Sequence, residues 1–247
     1  MPPSRLIAAI DTADAVEAMR LATMLRPHVG LIKLGLEVFC AQGPTCLDWA
    51  AGAPVFLDLK LHDIPNTVAG AVRALLRRPP AMLTLHAQGG PAMIAAARSA
   101  AEAAGAARPI LLAVTVLTSL TGADLAATGV MATPREQVLR LAGMALEAGA
   151  DGLVCSAAEI SAIRAAFGSK PILVVPGIRP AGSALDDQAR TATPEAAMAA
   201  GADYLVVGRP ITQAADPVAA ALAIASAMGS AMSAAMGPAM GSAGAGR

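Results

Sequence analysis

The sequence predicts a single-domain (β/α)8 barrel, a TIM barrel, because short apolar segments alternate with helical segments along the whole chain. Eight apolar runs have the length and composition of buried parallel strands. They are Leu6–Asp11, Leu31–Gly35, Pro54–Lys60, Met82–Ala87, Ile110–Thr118, Gly152–Ser156, Ile172–Ile178 and Tyr204–Pro210. The length of 247 residues suits one such barrel. The same alternation is compatible with a doubly wound sheet, and the count of eight strands favours the barrel.

The segments between these strands have helical periodicity, most clearly Asp14–Leu25, Thr67–Leu76, Ala92–Ala104 and Pro134–Ala148. A junction also repeats, since Gly-Ala-Asp at 149–151 and again at 201–203 follows an Ala-rich helix and precedes a strand. A glycine just past a helix can adopt the left-handed conformation that ends it. The repeat indicates one regular structure that closes on itself.

The predicted barrel domain covers residues 1–228, and residues 229–247 differ from it in composition. This last segment consists mainly of Ala, Gly, Met and Ser, with one charge and no apolar period. Such a composition is typical of a disordered tail, which is what we expect here.

Composition and charge exclude several classes of partner. Lys plus Arg and Asp plus Glu number 18 each, and only 2% of the residues are aromatic. The sequence has no basic stripe to bind phosphates and few aromatic side chains to stack on bases. We therefore expect it to bind neither nucleic acid nor anionic membranes. No apolar run is long enough for a signal peptide or a membrane span, so we expect a cytoplasmic protein.

The candidate catalytic residues follow from the barrel, whose active site lies at the C-terminal ends of the strands. Asp58 and Lys60 end one strand and point to the same side, because side chains alternate along a strand. Asp63 follows where the chain turns, and Lys33 ends the preceding strand. These residues predict an alternating array of charges. The alternative is a structural ion-pair network at the rim, but costly buried charges tend to cluster at functional sites.

A phosphate site is predicted after the last two strands. Gly177 and Arg179 follow the seventh strand, and Gly208 and Arg209 follow the eighth. Barrels often bind phosphate in these two loops, where glycine allows a close backbone approach and arginine offers a bidentate fork. No set of His, Asp and Glu has the spacing of metal ligands, so no metal is expected.

The segment Asp58–Thr67 (Asp-Leu-Lys-Leu-His-Asp-Ile-Pro-Asn-Thr) resembles the signature of the orotidine 5′-phosphate decarboxylase family. The similarity covers residues 5–225 in order. Its other motifs are Asp11, Lys33-Leu34-Gly35, His86-Ala87, Val114–Ser119, Pro176–Arg179, Asp186-Asp187-Gln188 and Val207–Ile211. The departures from the family pattern are Gln88, where a small residue is expected, and the tail.

The resemblance implies a cofactor-free lyase of pyrimidine biosynthesis that decarboxylates orotidine 5′-phosphate to UMP, working as a homodimer with shared active sites. Lys60 matches the proton donor, Asp58 the carboxylate beside the substrate's carboxylate, and Asp63 the group that enters the partner's site. Asp58 could act by destabilising the substrate or by positioning Lys60. Of the remaining matches, Asp11 and Lys33 contact the ribose, Thr67 is a partner-subunit contact, Thr118 lies where the pyrimidine is recognised, and Ile64 is a further substrate-binding residue. The matches for the phosphate are Arg179, Gln188, Gly208 and Arg209.

Two other functions are compatible with such a barrel. A sugar-phosphate decarboxylase or hexulose-phosphate synthase shares the Asp-x-Lys strand end but uses a magnesium-bound enediolate. It would lack the 64–67 continuation and the Asp186–Gln188 segment. A non-catalytic nucleotide-binding barrel would not need Lys60 and Asp63, and both are present.

Overall fold

The computed structural model describes residues 4–50, 52–180 and 191–235. Eight parallel strands form a closed barrel in which each strand pairs with the next in sequence and the last pairs with the first. The strands are β1 Leu6–Ile10, β2 Leu31–Gly35, β3 Val55–Leu61, β4 Met82–His86, β5 Ile110–Val114, β6 Gly152–Val154, β7 Ile172–Val175 and β8 Tyr204–Val207. The predicted TIM barrel is therefore confirmed.

Helices follow the strands around the outside of the barrel. They are α1 Ala15–Leu25, α2 Leu36–Gln42, α3 Pro65–Leu75, α4 Gly90–Glu102, α5 Gly122–Ala127, α6 Pro134–Glu147, α7 Ile160–Phe167, α8 Pro194–Ala199, α9 Arg209–Thr212 and α10 Pro217–Ala235. The four helices predicted from periodicity are α1, α3, α4 and α6, each within two residues of the expected bounds. Five of the others have at most eight residues, and so few turns give little periodicity. The sixth, α10, is long but rich in Ala throughout, so its sequence shows no clear apolar period.

Strand side chains alternate between two apolar clusters, as a barrel requires. One cluster fills the barrel interior, and Phe56, Met82 and Leu112 belong to it. The other lies between strands and helices and contains the neighbouring residues Leu57 and Leu83. Because both faces of each strand are buried, the strands read as continuous apolar runs.

The repeated Gly-Ala-Asp junction has the same geometry at both places. Gly149 and Gly201 have φ angles of 104° and 105°, a region that favours glycine. Two residues later, Asp151 and Asp203 each accept a 2.8 Å hydrogen bond from a backbone N–H of the preceding strand. The glycine of each junction therefore ends a helix, and its aspartate bonds the chain to the neighbouring strand of the barrel.

The last described helix extends beyond the predicted domain boundary. Asp216 caps α10, and Met228 is only 3% exposed within the core. The helix continues through Gly229 to Ala235, and Ala231 packs against the core. The start of the expected tail is thus helical, because Ala and Met have high helix propensity and one side of the helix can pack. Residues 236–247 lie outside the described residues.

The longest described helix, α10, has 19 residues and packs against α8 and β1 of the barrel. In the portions of the chain that the structure describes, no helix combines the length and apolar composition needed to cross a bilayer.

Candidate active site

A bulge at the end of β3 shapes the mouth of the barrel. Leu57 pairs with Leu83 of β4, whereas Leu61 pairs with Leu85, so four steps along β3 match two along β4. Within the bulge, Lys60 has a φ of 50°, and it is the only non-glycine residue with a positive φ in the described ranges. Such bulges redirect side chains and are common beside active sites. Asp58 and Lys60 do meet, as predicted, but through a bulge rather than a regular strand.

Four charged side chains form a continuous array at this mouth. The Nζ of Lys60 lies 2.9 Å from Oδ2 of Asp58, and the Nζ of Lys33 lies 3.7 Å from the same oxygen. Lys33 also contacts Oδ1 of Asp11 at 3.1 Å. The side chains of Lys33, Asp58 and Lys60 are only 10%, 15% and 31% exposed. Charges alternate along Asp11–Lys33–Asp58–Lys60, which we call the charged array.

The environment of Asp58 favours its ionised form. Burial alone would disfavour a carboxylate, but the charges of Lys33 and Lys60 outweigh it. Hydrogen bonds from Lys60 and Thr84 add to their effect, so the pKa of Asp58 is lowered from its usual value. Asp58 is therefore an anion between two ammonium groups at neutral pH.

Thr84 of β4 belongs to the same group of residues, although it was not predicted. Its Oγ1 accepts a 2.8 Å hydrogen bond from the backbone N–H of Lys60 and donates a 2.9 Å bond to Oδ1 of Asp58. The side chain is fully buried. The one signal in the sequence was a hydroxyl in the middle of the apolar run Met82–Leu85.

A cavity of about 210 Å³ opens beside the charged array. Its polar lining comes from Lys33, Asp58, Lys60 and Thr118, all of them predicted site residues. Its apolar lining consists of Phe56, Val114, Val116, Leu117, Val154, Cys155, Pro176 and Val206. A partly apolar pocket with a few convergent polar groups is typical of a small-molecule site.

The predicted phosphate-binding residues lie after β7 and β8. Arg179 is buried; its backbone N–H bonds Ala192, and its Nη1 donates to the carbonyl oxygen of Ile178 at 3.0 Å. Gly208 precedes α9, and Arg209 is the first residue of that helix. Because β8 pairs with β1, these residues adjoin the strand that leads to Asp11. Gln188, the remaining candidate, lies outside the described residues.

Asp63, Ile64 and Thr67 lie beyond the bulge and are exposed. Oδ1 of Asp63 accepts the backbone N–H of Ile64, and in the described parts of the chain no ion pair joins Asp63 to Lys60. Pro65 occupies the first turn of α3, as expected. Within a single chain the charged array therefore ends on Asp11 and does not include Asp63.

Two histidines stack at the edge of the site. The rings of His62 and His86 lie 5.3 Å apart at an angle of 20°. Nδ1 of His86 accepts the backbone N–H of Gln88 at 3.3 Å. Burial, together with the nearby charges of His62 and Lys60, lowers the pKa of His86. His86 is therefore a neutral imidazole that packs against His62 and accepts a hydrogen bond.

A closed parallel barrel with a half-buried acid and lysine array at its mouth defines the class, a TIM-barrel enzyme. A family model described as "Orotidine 5'-phosphate decarboxylase / HUMPS family" matches residues 4–224. The chain belongs to this family, which confirms the resemblance noted in its motifs.

Relatives and solved structures agree with the family. The chain is 58% identical to "Orotidine 5'-phosphate decarboxylase" of Gluconobacter oxydans (strain 621H), over 89% of this chain and 95% of the relative. It is 53% identical to the protein of the same name from Anaeromyxobacter dehalogenans (strain 2CP-1 / ATCC BAA-258), over 90% and 97%. A crystal structure of orotidine 5'-phosphate decarboxylase from Lactobacillus acidophilus superposes with a TM-score of 0.81 at 38% identity. That match covers 91% of this chain and 99% of the other.

Proposed function

We propose that the protein decarboxylates orotidine 5′-phosphate to UMP and carbon dioxide in cytoplasmic pyrimidine biosynthesis, without a metal or organic cofactor. The observation that carries the proposal is the charged array of Asp11, Lys33, Asp58 and Lys60 beside a partly apolar cavity. Relatives that are more than half identical and carry the decarboxylase name support the choice of substrate.

The substrate would be held at three places. Arg179, Gly208 and Arg209, with Gln188, would bind the phosphate after β7 and β8, where barrels commonly bind it. Asp11 and Lys33 would contact the ribose, and Thr118, which lines the cavity, would contact the pyrimidine. This arrangement directs the ring's carboxylate towards Asp58 and Lys60.

In the chemical step, the bond from the ring carbon to the carboxylate breaks and its electron pair stays on that carbon. The Lys60 ammonium then donates a proton to the carbanion, and solvent restores the proton to the lysine. The 2.9 Å contact with ionised Asp58 holds the ammonium in place before the reaction. A proton donor fixed in advance avoids the cost of reorganising solvent.

Lys60 cannot supply the whole acceleration. An ammonium ~4 Å from the developing charge contributes roughly 4 kcal/mol at an effective dielectric of 20. Enzymatic accelerations require about 8–23 kcal/mol. The remainder must come from the other fixed charges and from phosphate binding that holds the ring in the cavity.

We propose further that the enzyme is a homodimer in which each site takes Asp63, Ile64 and Thr67 from the partner. Two observations support this. Ile64 is a large apolar side chain that is 67% exposed. The carboxylate of Asp63 accepts the backbone N–H of Ile64, and within the described ranges no ion pair joins it to the charged array of its own chain. A partner subunit would cover the isoleucine and bring a carboxylate to the array.

The test is a spectrophotometric assay of orotidine 5′-phosphate loss, run with and without a chelator such as EDTA. We expect turnover to UMP in both conditions. Activity that disappears with chelator and returns with magnesium would instead assign the protein to the enediolate enzymes. Nucleotide binding without any turnover would assign it to the non-catalytic barrels.

A further inference from the structure

We propose that Thr84 is a positioning residue for this decarboxylation, because its buried hydroxyl fixes the Asp58 carboxylate relative to the backbone of Lys60. The inference rests on the proposed function. Thr84 need not touch the substrate, since it would act through the two residues that do.

The first role of the Thr84 hydroxyl is at the bulge. In a regular parallel ladder, the N–H of Lys60 would find a carbonyl acceptor on the neighbouring strand. The register shift between Leu57 and Leu61 disrupts that ladder, and Oγ1 of Thr84 accepts the N–H instead, at 2.8 Å. This bond fixes the residue that has the unusual φ of 50°. The hydroxyl therefore stabilises the conformation that directs Lys60 into the site.

The second role of Thr84 depends on the one proton that its hydroxyl carries. That proton is donated to Oδ1 of Asp58, at 2.9 Å, while the oxygen accepts from Lys60. The other oxygen, Oδ2, faces the ammonium groups of Lys60 and Lys33. Rotation of the carboxylate would break the bond to Thr84 or the contacts with the lysines. Each oxygen of Asp58 therefore has its own partners, Thr84 for Oδ1 and the two lysines for Oδ2.

A second buried threonine shows what a purely structural hydroxyl looks like. Thr115, which follows β5, is also fully buried, and its Oγ1 donates to the carbonyl oxygen of Val154 at 3.1 Å. That bond joins two neighbouring strands and involves no charged group. Thr84 differs because both of its hydrogen bonds go to residues of the charged array.

The experiment compares Thr84→Ser with Thr84→Ala, which differ only in the hydroxyl, and uses Thr115→Ala as the matched control. Each variant is checked for folding by circular dichroism and assayed for orotidine 5′-phosphate decarboxylation. We expect Thr84→Ala to lower kcat about 10- to 100-fold, the range found for residues that orient metal ligands by hydrogen bonds, as Thr84 orients Asp58. KM should change much less. Thr84→Ser should recover most of kcat, and Thr115→Ala should keep it.

The pH profile separates positioning from a structural role. Burial opposes ionisation of Asp58, and the Thr84 hydrogen bond is one of the contacts that keep its pKa low. Without that bond the pKa should rise, so the activity that depends on ionised Asp58 should be lost at a higher pH on the acid side. The acid limb of kcat/KM should therefore shift upwards in Thr84→Ala and return in Thr84→Ser. It should not move in Thr115→Ala.

The outcomes separate the two proposals. Wild-type enzyme that does not decarboxylate orotidine 5′-phosphate would overturn the proposed function. Active wild type with an unchanged kcat and acid limb in Thr84→Ala would overturn the role of Thr84 alone. Equal losses in Thr84→Ala and Thr84→Ser would also overturn it, because the missing methyl group would then explain the effect.

Discussion

At the scale of single residues, the charged array is stable because each inner charge faces two opposite charges. Asp58 lies between Lys33 and Lys60, and Lys33 lies between Asp11 and Asp58. A poorly solvated charge without a partner is costly, so the members of the array stabilise one another. Lys60 is the more exposed of the two lysines, since 31% of its side chain is accessible compared with 10% for Lys33. Its position leaves the ammonium available for proton transfer.

We predict that Lys60→Ala lowers kcat by at least about a thousandfold, within the range for loss of a general acid and a fixed charge. The fold should persist, because the change removes a side chain at the mouth and no core volume. Steady-state decarboxylation and circular dichroism provide the measurements. The matched control is Lys170→Ala, an exposed lysine outside the charged array, which should behave as wild type. Activity within tenfold of wild type would disprove the role of Lys60.

The sequence could predict the charged residues but not the threonine that orients them. Asp11, Lys33, Asp58 and Lys60 stand out because ionisable groups end apolar strands. Thr84 acts through a bulge between two strands, and its bonding partners lie 24 and 26 residues away. The positive φ of Lys60 depends on that same pairing. Local patterns carry no information about register shifts of this kind.

At the scale of the elements, ion pairs of the Gly-Ala-Asp junctions link helices to the N-terminal ends of the strands. Asp151 contacts Arg98 of α4 at 2.8 Å and Arg108 at 2.7 Å. Asp203 contacts Arg164 of α7 at 2.7 Å. The sequence showed the repeated glycines as helix ends, whereas the arginine partners in α4 and α7 lie 53 and 39 residues earlier.

We predict that Asp151→Asn lowers the free energy of unfolding by about 1.5–3 kcal/mol near pH 7, the usual value of a charge-assisted hydrogen bond. Burial opposes ionisation of Asp151, but bonds from Arg108 and the N–H of Leu111 lower its pKa overall. A lowered pKa means that this stabilisation is present above the usual aspartate pKa and is lost as the pH falls through the folded value. Urea unfolding at neutral and acid pH measures both effects.

The control for this variant is Asp48→Asn, because Asp48 also pairs with an arginine but its side chain is 60% exposed. Exposed pairs contribute about 0–1 kcal/mol, so the control should change little. If the two variants lose the same stability, or if the difference between Asp151→Asn and wild type persists in acid, the ion pair at the junction is not the cause.

The end of α10 gives a second prediction at this scale. Removal of residues 236–247 should leave the melting temperature unchanged, since their composition has no apolar period with which to pack. Removal of residues 228–247 should lower it by several degrees, because Met228 is buried and loss of such a side chain costs about 2–5 kcal/mol. Thermal unfolding of both truncated chains tests this pair of expectations. A large drop for the shorter deletion would contradict the first.

At the scale of the whole molecule, closure of the barrel brings the two predicted binding regions together. The charged array comes from β1 to β3 and the loops after them, and the phosphate candidates follow β7 and β8. Pairing of β8 with β1 places the two sets side by side. The number of strands was predictable from the sequence, but their pairing was not, because pairing depends on contacts far apart in the chain.

The proposed dimer follows from what one chain leaves incomplete. Asp63, Ile64 and Thr67 belong to the most family-specific segment, yet all three are exposed. Among the described residues, no ion pair joins Asp63 to the charged array of its own chain. A two-fold symmetric dimer would let each chain supply this segment to its partner's site, so that the site and the interface coincide. Such an arrangement makes a specific prediction about mixed dimers.

We predict that Lys60→Ala and Asp63→Ala homodimers are both nearly inactive, and that unfolding and refolding them together restores activity. In a mixed dimer with shared sites, one site carries both changes and the other carries neither. Random pairing at equal concentration makes half of the dimers mixed, so activity should reach about a quarter of wild type. Wild type refolded in the same way controls for yield, and differently tagged chains show whether mixed dimers form. If mixed dimers are present and activity does not recover, Asp63 acts within its own chain, because only shared sites can combine an intact Lys60 with an intact Asp63.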